Sequence, residues 1–188
     1  MTDYIARSRE RLVKHQPGSL QLGDRVGAAV LILLYPTPAG DCLLLTVRSE
    51  LVEHHKGEIS FPGGGVHEED EDLAATALRE TSEEVGVDPD VVEILGRLDD
   101  LLTISNFHVT PFVGVLHRSP YDFIPSPIEV AEVLEVPIAH LLDAANSEPR
   151  QGQVPGSDHD CIDYLFRGHR VWGATARILR QYLDLIRE

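Results

Sequence analysis

Three carboxylates stand out in this chain of 188 residues: Glu80, Glu83 and Glu84. Leu73, Ala74, Ala77, Leu78 and Val85 recur at helical spacing, which predicts a helix over residues 72–85 with Gly86 as its capping glycine. Residues on a helix advance by about 100° each, so the three glutamates share one face within roughly a 100° arc. Packed that way they repel one another. A glutamate-rich face ordinarily just meets water. Hard oxygen ligands gathered on one rigid element also suit magnesium or manganese. Arg79 borders the same arc. Phe61-Pro62-Gly63-Gly64-Gly65 comes just before the helix. Glycines there let the backbone approach a ligand, and a bare carbonyl such as that of Gly64 adds one more oxygen.

Around that helix the pattern predicts a mixed set of elements. An amphipathic helix is expected over 3–14, with Tyr4, Ile5, Leu12 and Val13 as its apolar contacts and Pro17-Gly18 ending it. Strands are expected at 28–35 and 42–47, joined as a hairpin across the turn cluster 36–41, and at 59–61, 91–98 and 109–115. Pro111 predicts that the last is an edge strand or bulged. Residues 50–58, 119–127 and 147–158 read as loops. Residues 130–136 and 163–166 read as extended, 138–145 as a short helix, and 171–187 as a closing amphipathic helix. Strands and helices without strict alternation predict an α/β (α+β mixed) chain with helices on both faces of a mixed sheet. One domain is expected: a core at about 26–145, an N-terminal extension over 1–25 and the C-terminal helix.

The segment from Gly65 to Val87 resembles the Nudix box, G-x5-E-x7-R-E-U-x-E-E-x-G-U, where U is a bulky aliphatic residue. Gly65, Glu71, Arg79, Glu80, Glu83, Glu84 and Gly86 fill its fixed positions. Thr81 departs from the pattern at the first U, which weakens packing rather than chemistry. Asp70 beside Glu71 leaves that slot open to a one-residue slip. The flanks, Leu43-Leu44-Leu45-Thr46-Val47-Arg48-Ser49 and His55-Lys56-Gly57-Glu58-Ile59-Ser60-Phe61-Pro62-Gly63-Gly64, resemble the coenzyme A diphosphatase branch. Val171-Trp172-Gly173-Ala174-Thr175-Ala176 is also similar to that branch.

The resemblance implies an α/β/α sandwich and metal-dependent hydrolysis of a nucleoside diphosphate derivative. For coenzyme A the products are adenosine 3',5'-bisphosphate and 4'-phosphopantetheine. It implies Glu83 and Glu84 as metal ligands and Glu80 as a third ligand or the general base, oriented by Arg79. Glu71 or Asp70 would serve a second metal. An acid from a later loop is expected, with Glu129 first and Glu132, Glu135 and Asp99 behind it. Arg48, Lys56 and His55 are expected at the substrate. Phe61 and Trp172 could stack on adenine, although single aromatics at such places are more often core. His54 reads as a loop residue, because an oxygen-rich site does not favour imidazole. Ser60 lacks the G-x-S-x-G elbow of a hydrolase nucleophile.

Two other functions fit the same letters. One is a Nudix hydrolase acting on ADP-ribose, NADH or a dinucleoside polyphosphate. The other is a non-catalytic Nudix-like regulator, which the full set of box acids opposes.

The net charge of −15 argues against nucleic acid and anionic membranes as partners. A small anionic substrate remains compatible with it, provided a cation screens the charge. Cys42 and Cys161 are too few for a disulfide scaffold. No signal peptide is read at residues 1–11 and no apolar run is long enough to span a bilayer, which predicts a cytoplasmic location.

Overall fold

A computed structural model describes residues 3–52, 56–150 and 162–187. His54, His55 and Cys161 lie outside the described residues. The elements in chain order are α1 (Tyr4–Lys14), β1 (Val26–Thr37), β2 (Gly40–Arg48), β3 (Ile59–Ser60), β4 (Gly63–Gly65) and α2 (Leu73–Val85), then β5 (Val92–Arg97), β6 (Leu101–Leu102), β7 (Phe107–Leu116) and β8 (Val130–Pro137). They are followed by α3 (Ile138–Leu142), β9 (Ser147–Pro149), β10 (Ile162–Phe166), β11 (His169–Val171) and α4 (Gly173–Arg187).

Strands β1 to β8 make one mixed sheet. β1 runs parallel to β7, and the remaining pairings are antiparallel. β1 and β2 pair only near their hairpin turn, from Leu34↔Leu43 to Thr37↔Gly40. Beyond that they pair with different partners: Val30↔Gly63 joins β1 to β4, and Thr46↔Ser60 joins β2 to β3. The chain from Ile59 to Gly65 therefore fills the fork between the two strands. β9, β10 and β11 form a separate antiparallel sheet.

Both faces of the main sheet are covered, as the alternation along β1 requires. Ala29, Leu31, Leu33 and Tyr35 face the cluster that contains Ala77 and Val85 of α2. Ala28, Ile32 and Leu34 face the cluster that contains Leu12 of α1 and Ile178, Leu179 and Tyr182 of α4. A side-chain period of two with both halves apolar is how a strand buried on both faces reads. The result is the expected α/β/α sandwich. α1 is anchored at its start and midway along: Asp41 Oδ2 accepts from the amides of Tyr4 and Ile5, and Ser8 Oγ lies 2.9 Å from Tyr182 Oη.

Several expectations need correction. Pro111 sits in an interior strand, with β1 on one side and β5 and β6 on the other. Its carbonyl accepts from Leu98 N at 2.9 Å. Its ring nitrogen therefore faces the break between β5 and β6, where no ladder bond is required of it. Val13 is exposed while Leu12 is buried, so only part of the expected apolar stripe of α1 is used. Ser147–Pro149 is a strand rather than loop, and Val171 ends β11 before α4 begins. No helix among the described residues is long and apolar enough to cross a membrane.

Candidate active site

α2 is delimited by its own sequence. Asp72 caps its N-terminus, accepting from Ala75 N at 2.8 Å, an interaction worth about 1 kcal/mol. Gly86 closes it in the left-handed conformation at φ 70°, and a Cβ there would press on Ile124. Thr81 is wholly buried and donates its hydroxyl to Ala77 O at 2.7 Å, which satisfies the polar group at the atypical box position.

The three glutamates of α2 do not share one environment. The Glu83 side chain is 54% exposed, with Oε2 3.3 Å from Arg79 Nη1. The Glu80 side chain is 14% exposed and accepts from Arg79 Nη1 at 2.8 Å. Glu84 is 3% exposed, and among the described residues it accepts a single, long hydrogen bond, from Gly63 N at 3.5 Å. Burial pushes the Glu84 carboxyl up to about 8, reinforced by the negative charges of Glu80 and Glu129, against a weaker pull from Gly63 N–H and Arg48. Burial also raises Glu80, opposed by Arg79 and reinforced by Glu83 and Glu129.

Arg79 organises the outer side of the site. Its Nε and Nη2 grip Asp70 at 2.9 and 3.0 Å, and Nη2 also donates to Gly65 O at 3.0 Å. Asp70 further accepts from His67 N and from the buried Thr76 hydroxyl, and the guanidinium holds its carboxyl well below the usual range. Asp70, rather than Glu71, is thus the acid built into this cluster, while Glu71 is exposed. Sequence reasoning had only the adjacency of the two acids. Nothing in the one-dimensional pattern marks Thr76.

The glycine turn meets α2 closely. A Cβ on Gly64 would lie 2.6 Å from the Glu80 carboxyl, so that carboxyl rests directly on bare backbone. Gly63 has φ 154°, and a Cβ there would stand 2.3 Å from Ala29 O. Gly65 has open space instead.

Of the other expected residues, Glu129 immediately precedes β8. Its backbone carbonyl accepts from Ser49 N at 2.8 Å, and its charge is felt by both Glu80 and Glu84. Arg48 ends β2 within electrostatic reach of Glu84, and its Nε is buried without a hydrogen-bond partner among the described residues. Lys56 is exposed in the turn before β3. Phe61 is buried in the core on the α4 side and offers no face to a ligand. Glu132 pairs with His169, and Asp99 accepts from Gly18 N, both away from the cluster. Glu135 acts on Tyr35 and Cys42 rather than on α2.

Among the described residues no three Asp, Glu, His or Cys side chains already surround a common point as a closed metal cage. The donor chemistry nevertheless fits a cation. Among the described residues the buried Glu84 carboxyl is in no ion pair, with Arg48 acting on it only at longer range, and burying such a charge is costly. Its like-charged neighbours Glu80 and Glu129 add to that cost, and a divalent ion would remove it.

The family pattern of the NUDIX domain matches residues 25–155. The Nudix hydrolase NudL of Klebsiella pneumoniae (strain 342) is 37% identical over 182 residues, covering 96% of this chain and 92% of the relative. Among solved structures, a Nudix hydrolase from Nitrosomonas europaea superposes with a TM-score of 0.53 at 21% identity, over 90% of this chain and 73% of that one. The Nudix hydrolase RenU of M. smegmatis gives 0.52 at 24% identity, over 62% and 73%. The two structures establish the fold alone.

Proposed function

The chain belongs to the Nudix hydrolase family, and from that premise we propose that it hydrolyses the pyrophosphate bond of coenzyme A or its derivatives, using magnesium or manganese. The observation that carries the hydrolytic part is the buried, under-compensated pair Glu80 and Glu84 against Gly63 and Gly64, with Glu129 beside it. The substrate part rests on three distant segments that resemble one branch and come together in space. β2 carries the first and pairs with β3 of the second through Thr46↔Ser60 and Val47↔Ile59. Thr175 of the third donates its hydroxyl to Ile59 O at 2.9 Å.

In this reading Glu83 and Glu84 would hold the ion, with Glu80 as a third ligand or the base and the Gly64 carbonyl as one more oxygen. When bound, the ion would neutralise phosphate oxygens and acidify water beside them. Arg79 fixes the Glu80 carboxylate through a charge-assisted bond and is itself fixed by Asp70. Arg48 and Lys56 are the candidates to bind the substrate's phosphates. Water adds to one phosphorus, the bond from that phosphorus to the bridging oxygen breaks, and a carboxylate takes the water's proton. Glu129 and Glu80 are the candidates for that base.

The test is incubation of the protein with coenzyme A and magnesium or manganese, with products identified by mass. Adenosine 3',5'-bisphosphate and 4'-phosphopantetheine are expected. Inert coenzyme A beside turnover of ADP-ribose would overturn the substrate assignment.

A further inference from the structure

The segment from β7 to β8 forms no helix or strand, yet it is bonded to the end of α2. The last carbonyls of a helix have no partner within it. Two of them are met here: Ile124 N donates to Val85 O at 2.9 Å, and Ser126 N donates to Glu84 O at 2.8 Å. Pro125 stands between these donors and has no N–H to leave unpaired. Pro125 and Pro127 also bias the residues before them, Ile124 and Ser126, toward extended backbone. Gly86 lets the segment lie close, since a Cβ there would stand 2.9 Å from Ile124 Cβ.

Side chains fasten the start of this segment. Ser119 donates its hydroxyl to Pro36 O in the turn between β1 and β2. Tyr121 Oη donates to Gly86 O at 3.0 Å and accepts from Asp88 N at 3.1 Å, so it grips the chain just beyond α2. The Tyr121 ring lies 5.3 Å from that of Phe123, which lies 5.4 Å from that of Tyr35, both within the range of aromatic pairs. The segment ends at Glu129. Ser126 O accepts from Glu129 N at 3.1 Å and from Val130 N at 2.8 Å, and Glu129 O accepts from Ser49 N at 2.8 Å. Ser126 therefore ties the backbone of Glu84 to that of Glu129 through a single residue.

We infer that residues 119–129 are a strap that sets the place of Glu129 against the acids of α2, with Tyr121 as its positioning residue; this rests on the role proposed for Glu129 and not on coenzyme A as the substrate. Tyr121 acts through backbone alone. Its hydroxyl is spent on Gly86 and Asp88, and what it fixes is the approach of Ile124 and Ser126 to the end of α2. Loss of that hydroxyl frees the strap to shift, and Glu129 shifts with it. A reacting group displaced by about 1 Å can cost a hundredfold in rate.

Turnover of the full chain with magnesium is measured on whichever of coenzyme A and ADP-ribose the wild type hydrolyses. Tyr121→Phe keeps the ring and removes the grip. It should lower kcat about tenfold and leave KM within about twofold, because misplacing a reacting group costs rate rather than binding. Asp122→Ala, exposed on the same segment, should leave both constants unchanged. Tyr121→Phe combined with Glu129→Gln should be no slower than Glu129→Gln alone, since the strap then has no carboxylate to place; a purely structural loss would multiply the two effects. In the metal-free protein, Tyr121→Phe should also speed hydrogen exchange at the amides of Ile124 and Ser126. Unchanged kcat or unchanged exchange in Tyr121→Phe, multiplying effects in the double variant, or wild-type kcat in Glu129→Gln would overturn the strap. A slow Glu80→Gln beside any of these would leave the hydrolytic reading standing. Turnover of ADP-ribose alone, with the double variant no slower than Glu129→Gln, would uphold the strap and remove coenzyme A as the substrate.

Discussion

Replacing Glu84 by glutamine should make the metal-free protein more stable, and increasingly so as pH rises. Glu84 has an ordinary value of 4.5, and the fold raises it to about 8. The folded state therefore keeps a proton that the unfolded chain gives up. The stabilisation is complete below pH 4.5, falls as pH climbs, and is gone above about 8. At about 1.36 kcal/mol per pH unit, the penalty on the folded wild type is about 3.5 kcal/mol at pH 7 and about 4.5 kcal/mol at pH 9. Glutamine carries no charge to desolvate. It keeps an oxygen for Gly63 N but brings an amide that needs partners, at a cost of about 1–3 kcal/mol. The net gain at pH 7 is therefore small. The gap between variant and wild type should then widen by about 1 kcal/mol from pH 7 to pH 9. Urea denaturation in chelator at both pH values measures it. A gap that stays constant or narrows would refute the reasoning, because the Glu84 charge would then not be the buried liability.

Glu80→Gln should lower turnover by two or more orders of magnitude with the melting temperature little changed, measured by product formation and thermal denaturation. Gly64→Ala should cut activity strongly, because its Cβ would stand 2.6 Å from the Glu80 carboxyl, while Gly65→Ala, with open space, should be near neutral; paired rate measurements compare them. Arg79→Ala should cost about 3 kcal/mol in denaturant unfolding, since it leaves the buried Asp70 carboxyl without its counter-charge.

The helix that bears the glutamates was legible because every level agreed: apolar spacing, an N-capping Asp72 and a C-terminal Gly86. Where levels disagreed, the sequence was mute. Gly63–Gly65 has no side-chain alternation, so nothing local reveals that it pairs with β1; the pairing exists because β1 and β2 part company around it. Pro111 reads as an edge signal only if every strand residue needs both neighbours, and the break between β5 and β6 exempts it. Arc geometry put Glu80, Glu83 and Glu84 together but could not tell which were buried, since that depends on the glycine turn pressed against α2. The choice between Asp70 and Glu71 likewise turned on the reach of Arg79, nine residues away from Asp70.

The most direct test of the central claim is calorimetric titration of the full chain with manganese at pH 7 in buffers of different ionisation heat. If a cation is held by Glu84 together with Glu80, binding must strip Glu84 of its proton, releasing about one proton per ion bound. Glu84→Gln should lose that release along with most of the affinity. Unaltered manganese binding in Glu84→Gln, or wild-type binding with no proton released, would contradict the account.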